Sequence, residues 1–139
     1  MIGRAPRGAA LLVALDALFL IVSGVFGFAA DVASYVAGAG PFGGVFQGDP
    51  VVIGVIEAHG LAILTGVAAL AVGSARIRYW HWHLALTHAL LGGANIVFFD
   101  VFRNVGAPTA GAAVTAVHFA FVLLQIGAAT RRKIETPSL

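Results

Sequence analysis

Five ionisable side chains lie inside long apolar stretches of this 139-residue sequence, where a charged group is unfavourable. On insertion scales such a group at the centre of a bilayer costs about 2.5–3.5 kcal/mol, so these side chains are candidates for function. Carboxylates and imidazoles are also the groups that relay protons and that ligate haem iron or other metal ions. The five residues are Asp16, Glu57, His59, His88 and His118.

One hypothesis is a haem b that is held between the second and fourth apolar stretches by His59 and His118. At a rise of about 1.5 Å per residue, both histidines fall roughly 3–5 Å from the membrane midplane. Axial ligation requires two neutral imidazoles at similar depth on facing helices. Glu57 and Asn95 are the predicted neighbours of the cofactor, because a second hydrogen bond orients each imidazole. The protein would then serve membrane electron transfer.

A second hypothesis is proton-linked transport or conduction. Asp16 and His88 fall roughly 5–6 Å below the midplane, whereas Glu57 and His118 fall in the outer half. Chains of such groups across a membrane are what intramembrane proton relays use. The predicted relay consists of Asp16, His88, Glu57 and His118.

Two further interpretations remain open. The same types of side chain suit a zinc, copper or iron site, with Glu57, His59, His88 and His118 as ligands. Alternatively, the polar side chains only form hydrogen bonds between helices, as they do in many membrane bundles. In that case the protein is a structural or accessory subunit of a membrane complex, without chemistry of its own.

The polar residues of two apolar stretches fall on single helix faces. On the third predicted helix, His88 and Asn95 follow His81, which lies just before the apolar stretch, at intervals of seven residues. In the fourth stretch, seven residues separate His118 from Gln125. Residues seven apart lie nearly above one another on an α-helix. Each of the two helices is therefore predicted to present one polar stripe.

Four apolar stretches must position these side chains, and they lie at residues 9–30, 51–73, 83–101 and 110–129. Each is near the ~20 residues that a helix needs to cross the hydrocarbon core of a bilayer. A helix satisfies its own backbone hydrogen bonds in lipid. The sequence therefore predicts one all-α membrane domain of residues 1–139, an up-and-down bundle of four transmembrane helices. Residues 31–50 are the predicted outer loop, and residues 130–139 are a predicted cytoplasmic tail.

The basic residues predict the orientation of this bundle. Seven of the eight lie on one side, so the positive-inside rule places both termini in the cytoplasm. Arg103, Asp31, Asp49 and Asp100 mark the predicted outer boundary. The aromatic segment around His81 is interpreted as an inner belt that anchors the third helix. The small size and the preference for Arg over Lys favour a bacterial inner membrane.

The composition excludes several classes of protein. Hydrophobic residues make up 60% of the chain and charged residues only 10%, whereas a soluble domain carries about 25% charged residues. A net charge of +2 provides no basic face for nucleic acid, and the absence of cysteine excludes disulfides and thiolate metal sites. The predicted partners are the lipid bilayer and a second copy or a larger membrane complex, with no nucleic acid.

Overall fold

The computed structural model describes residues 7–72 and 76–131, and every regular element in those ranges is a helix. The all-helical class predicted from the sequence is therefore confirmed. The elements in chain order are α1 (Arg7–Ala37), a 3₁₀ turn (Gly43–Phe46), α2 (Val52–Val72), α3 (Ile77–Val97), a short α4 (Phe99–Asn104) and α5 (Pro108–Thr130).

Three of the described helices are long and apolar enough to cross a membrane, namely α1, the segment Val52–Ala71 of α2, and α5. This supports the prediction of a membrane protein. α3 is as long as α2, but one arginine, three histidines and one asparagine lower its mean hydropathy. The count of four crossings and the orientation of the termini stay predictions.

The helix ends differ from the predicted spans at two places. α1 continues to Ala37, so Asp31 lies inside a helix and not in the predicted loop of residues 31–50. α3 begins at Ile77 and ends at Val97, and Phe98 separates it from α4. Residues 132–139 of the predicted tail lie outside the described residues.

Local chemistry explains where two of the helices begin. The Asp49 carboxylate accepts a hydrogen bond of 2.9 Å from the backbone N–H of Val51, which satisfies a donor at the start of α2. Pro108 occupies the first turn of α5, where its missing N–H removes no helical hydrogen bond. Both starts lie within two residues of the predicted spans, as expected for helix termini.

The contact between α1 and α2 depends on small residues. Positions that are buried on α1 recur at alternating steps of four and three residues, which is the spacing of a left-handed helix pair. A Cβ atom at Gly24 would lie 2.9 Å from the His59 carbonyl oxygen, and one at Gly66 would lie 2.6 Å from the Ala17 carbonyl oxygen. The two backbones therefore approach too closely for any larger residue. The repeating positions on α1 are Val13, Ala17, Leu20, Gly24, Gly27, Asp31 and Ser34.

The long helices associate as two pairs. α1 packs along α2, and α3 packs along α5, whereas α1 makes much smaller contacts with α3 and α5. Side chains from α1, α2 and α3 form one apolar core, in which Leu20 and Leu84 are almost completely buried. α2 and α5 have no extensive contact with each other in the described chain. The side chains of these two helices are therefore held by different neighbours.

Replacing Gly66 with Leu should disrupt the α1–α2 pair. The new side chain would meet the backbone of α1, and overpacking of this kind costs about 3 kcal/mol or more. Gly60→Leu on the same helix is the matched control, because a Cβ atom at Gly60 meets nothing within 4 Å. Unfolding of both variants by titration with SDS, followed by circular dichroism, measures the difference. Equal stability of the two variants would contradict the close approach.

Candidate functional site

Among the described residues, the side-chain hydrogen bonds that join different long helices fall into two separate groups. The first, the Asp16 cluster, consists of Asp16, His81, His88, His118 and Gln125, and it joins α1, α3 and α5. The second, the Asp31 pair, consists of Asp31 and His59, and it joins α1 and α2.

The antiparallel pair α3 and α5 carries two polar contacts, one above the other. His81 Nδ1 donates to the Gln125 Oε1 atom, and the Nδ1 atoms of His88 and His118 lie 2.8 Å apart. Seven residues separate the two contacts on each helix, which corresponds to about 10 Å along the axis. The polar stripes of the two helices are therefore in register.

Asp16 of α1 joins these two contacts. Its Oδ1 atom lies 2.6 Å from His88 Nε2, and its Oδ2 atom accepts a hydrogen bond from the side-chain amide of Gln125. Removing a carboxylate from water is unfavourable unless hydrogen bonds replace the lost water. Both oxygens of Asp16 have such a partner, so the cluster satisfies the carboxylate.

The Asp16 cluster is enclosed except at one residue. Asp16, His88 and Gln125 have no exposed surface and His81 has 1%, whereas His118 keeps 8%. Aromatic rings surround the two facing histidines: Phe121 stacks on His88 with ring centroids 4.8 Å apart, and Phe19 lies edge-on to His118. His118 is therefore the most accessible side chain of the cluster.

The hydrogen bonds restrict where protons reside. Two ring nitrogens share one proton between His88 and His118, because a nitrogen can donate or accept but not both. When Asp16 is ionised, His88 Nε2 carries a proton and donates it to the carboxylate. His118 Nδ1 then donates to a neutral His88, or accepts from a cationic one. The chain can thus rearrange protons without moving heavy atoms.

The Asp31 pair has a different environment. Asp31 Oδ2 lies 2.6 Å from His59 Nδ1, and the ring of His59 packs against the backbone of Gly27. The side chain of Asp31 is completely buried, whereas 33% of the side chain of His59 is exposed. The second oxygen of Asp31 is enclosed and has no partner among the described residues.

The structure brings some of the predicted site residues together and keeps others apart. Asp16, His88 and His118 meet in one cluster. His59 does not meet His118, because His59 is bound to Asp31 whereas His118 is linked through His88 to Asp16. The two carboxylates lie about 22 Å apart along α1. Glu57 is exposed.

Asn95, the remaining predicted neighbour of the cofactor, is half-buried on α3 and takes part in neither polar group. The part of the chain that the structure describes contains no set of three or more His, Cys, Asp or Glu side chains arranged to hold a metal ion. The haem and metal hypotheses therefore stay predictions, without a ligand set in this geometry.

Sequence reasoning missed the roles of His81, Gln125 and Asp31. His81 was interpreted as a residue of the interfacial belt, but it is buried and bonded to Gln125. The sequence does contain a signal, because seven residues separate His81 from His88 and also His118 from Gln125. Since α3 and α5 are antiparallel, this equal spacing brings both pairs of side chains into contact. No comparable signal exists for Asp31, because its burial depends on how far α1 continues.

Replacing Asp16 with Ala should destabilise the protein by about 3 kcal/mol. The change leaves the donors of His88 and Gln125 enclosed without an acceptor, and breaking a buried polar pair has effects of this size. Asp100→Ala is the control, because Asp100 is exposed and its carboxylate pairs with the exposed Arg103. The free energy of unfolding in SDS titrations should fall for the first variant alone. A stable Asp16→Ala protein would show that the carboxylate does not hold the helices together.

In comparisons with known proteins, no family model, no curated protein and no solved structure gives a match to this chain.

Proposed function

We propose that this protein is a proton-linked membrane transporter in which Asp16, His88 and His118 form the proton-binding relay. The proposal includes four membrane crossings by α1, α2, α3 and α5, with both termini in the cytoplasm of a bacterial cell. The positive charges of the sequence and the length of α3 support this arrangement.

The observation that carries the proposal is the unbroken chain of hydrogen bonds from Asp16 through His88 to His118. The two links measure 2.6 Å and 2.8 Å, and each joins atoms that can exchange a proton. Histidine is suited to this task because its ordinary pKa lies near neutral pH. Ionisable side chains within membrane segments pair with one another and are found in proton relays and other ion pathways.

The relay transfers one proton in three balanced steps. A proton binds to His118 Nε2 and makes this ring a cation. His118 then passes its Nδ1 proton to Nδ1 of His88, and His88 passes its Nε2 proton to Oδ1 of Asp16. At the end both histidines are neutral and Asp16 is a neutral acid, so the positive charge has neutralised the carboxylate.

A neutral Asp16 would weaken the hold of α1 on the other two helices, because an ionised acceptor makes stronger hydrogen bonds than a neutral one. Such a change in helix contact is what a transporter needs to couple proton binding to movement. Glu57, which was included in the predicted relay, is exposed on α2 and is left out of this mechanism.

The vesicle and absorbance experiments also test two other functions. Haem b ligation by His59 and His118 would require these residues to approach each other in another arrangement of helices or between two chains. A purely structural role for the Asp16 cluster would stabilise the bundle and leave protons where they are.

Reconstituted protein should carry protons across a vesicle membrane. Under an inside-negative potential, vesicles that enclose a pH-sensitive dye should acidify faster with the protein than without it. Asp16→Asn should abolish the difference, because an amide cannot accept the relayed proton, and His88→Phe should do the same.

His83→Gln and Asp100→Asn are controls that should retain the flux, since both residues are exposed and lie outside the cluster. Absence of flux in the unmodified protein under any gradient of pH or potential would overturn the transporter proposal. An absorbance spectrum of the purified protein with a Soret band would favour the haem function instead.

A further inference from the structure

Gln125 lies between two ionisable side chains of the Asp16 cluster. It has no exposed surface, and it uses both ends of its amide: one end contacts Asp16 and the other contacts His81. Among the described residues, the titratable groups that face this cluster are Asp16 on α1, His81 and His88 on α3, and His118 on α5. Gln125 is therefore the single uncharged link in a chain of titratable groups.

The polarity of the amide is determined by its neighbours. The nitrogen of a glutamine side chain only donates hydrogen bonds, and its oxygen only accepts them. Because a carboxylate oxygen accepts, the nitrogen of Gln125 points to Asp16 Oδ2 and the oxygen points to His81. The reverse orientation would bring two acceptors into contact when Asp16 is ionised.

This orientation determines which oxygen of Asp16 can take a proton. Oδ2 contacts the amide nitrogen of Gln125, which has no acidic proton to give, whereas Oδ1 contacts the ring of His88, so a proton reaches Asp16 at Oδ1. Oδ1 is the atom that lies 2.6 Å from His88 Nε2. Asp16 is therefore open to proton exchange on the side of His88 alone.

The same amide isolates His81. His81 must carry its proton on Nδ1 in order to donate to Gln125, and its Nε2 atom is enclosed without a partner in the described part of the chain. The amide oxygen that faces His81 is a very weak base and the amide nitrogen that faces Asp16 is a very weak acid, so near neutral pH the amide neither takes up nor releases a proton. A proton on His81 thus has no route through Gln125 to the carboxylate.

We propose that Gln125 is a proton barrier that closes one side of the relay, so that Asp16 exchanges protons through His88 and His118 and not through His81. This inference rests on the proposed transport function and adds the side from which protons reach Asp16. His81 lies on the first turns of α3, toward the end of the bundle where the sequence predicts the cytoplasm, and His118 lies one polar contact further along. A barrier at this point prevents a continuous path for protons, so a proton leaves Asp16 on the other side only after the helix movement that its neutralisation allows.

The decisive variant is Gln125→Glu, which keeps the size of the side chain and replaces the amide by a carboxyl group. A carboxyl group can accept a proton on one oxygen and release one from the other, so it would connect His81 with Asp16. In the vesicle assay, we expect the proton flux to rise severalfold above that of the unmodified protein. The double variant Gln125→Glu with His81→Phe should lose this rise.

Gln125→Met is the matched control, since it removes the same hydrogen bonds without providing a carboxyl group. If both Gln125→Met and Gln125→Glu raise the flux equally, disruption of the cluster explains the leak and the barrier is disproved. If neither raises it although the unmodified protein carries protons, the barrier is disproved as well. Circular dichroism of each variant tests whether its helices are intact.

A second measurement decides the question without any variant and without transport. In ¹⁵N NMR spectra of histidine-labelled protein in lipid nanodiscs, acidification should change the ring signals of His88 and His118, while His81 keeps its proton on Nδ1 and a bare Nε2. Simultaneous changes at His81 would overturn the barrier. Absence of vesicle flux together with this selective pattern would instead refute the transporter and retain the barrier.

Discussion

The carboxylate of Asp16 is the contact on which the association of α1 with α3 and α5 depends. α1 shares an apolar core with α3, but its contacts with α3 and α5 are much smaller than those with α2, and the hydrogen bonds from His88 and Gln125 connect all three helices. Removing a carboxylate from water is costly, and donors to both oxygens of Asp16 offset that cost. Because both donors must reach Asp16, the same hydrogen bonds also determine the height and rotation of α1, α3 and α5 relative to one another.

α1 uses two different kinds of contact on two sides. Toward α2 it offers small residues, so that dispersion and close backbone approach hold the pair, as is common between membrane helices. Toward α3 and α5 it offers Asp16 and the ring of Phe19. The Asp31 pair adds one polar contact to the first side, where 33% of the His59 side chain remains exposed. The two carboxylates of α1 thus bind histidines in unlike surroundings.

Much of the fold could be predicted from the sequence, because long apolar runs determine where helices lie whatever their partners are. The pairing of helices could not, since the apolar faces of α2 and α5 are compatible with several neighbours. The similar depth of His59 and His118 in the membrane predicts that they face each other. Depth does not determine which helices are in contact, so this prediction has no information on helix pairing. The approach of Asp16 and His88 is different: both lie in the same half of the sequence-derived spans, and the structure joins them.

The order in which these contacts become available during synthesis follows from their positions in the chain. The α1–α2 hairpin contains both halves of its glycine contacts, so it is complete before α3 has been made. Asp16 must wait for His88, 72 residues later, and for Gln125, 109 residues later. At about 5–20 residues per second, its carboxyl group spends roughly 5–20 s without its final donor. α5 thus supplies a partner for a side chain of α1, and the polar core closes only after α5 has been made.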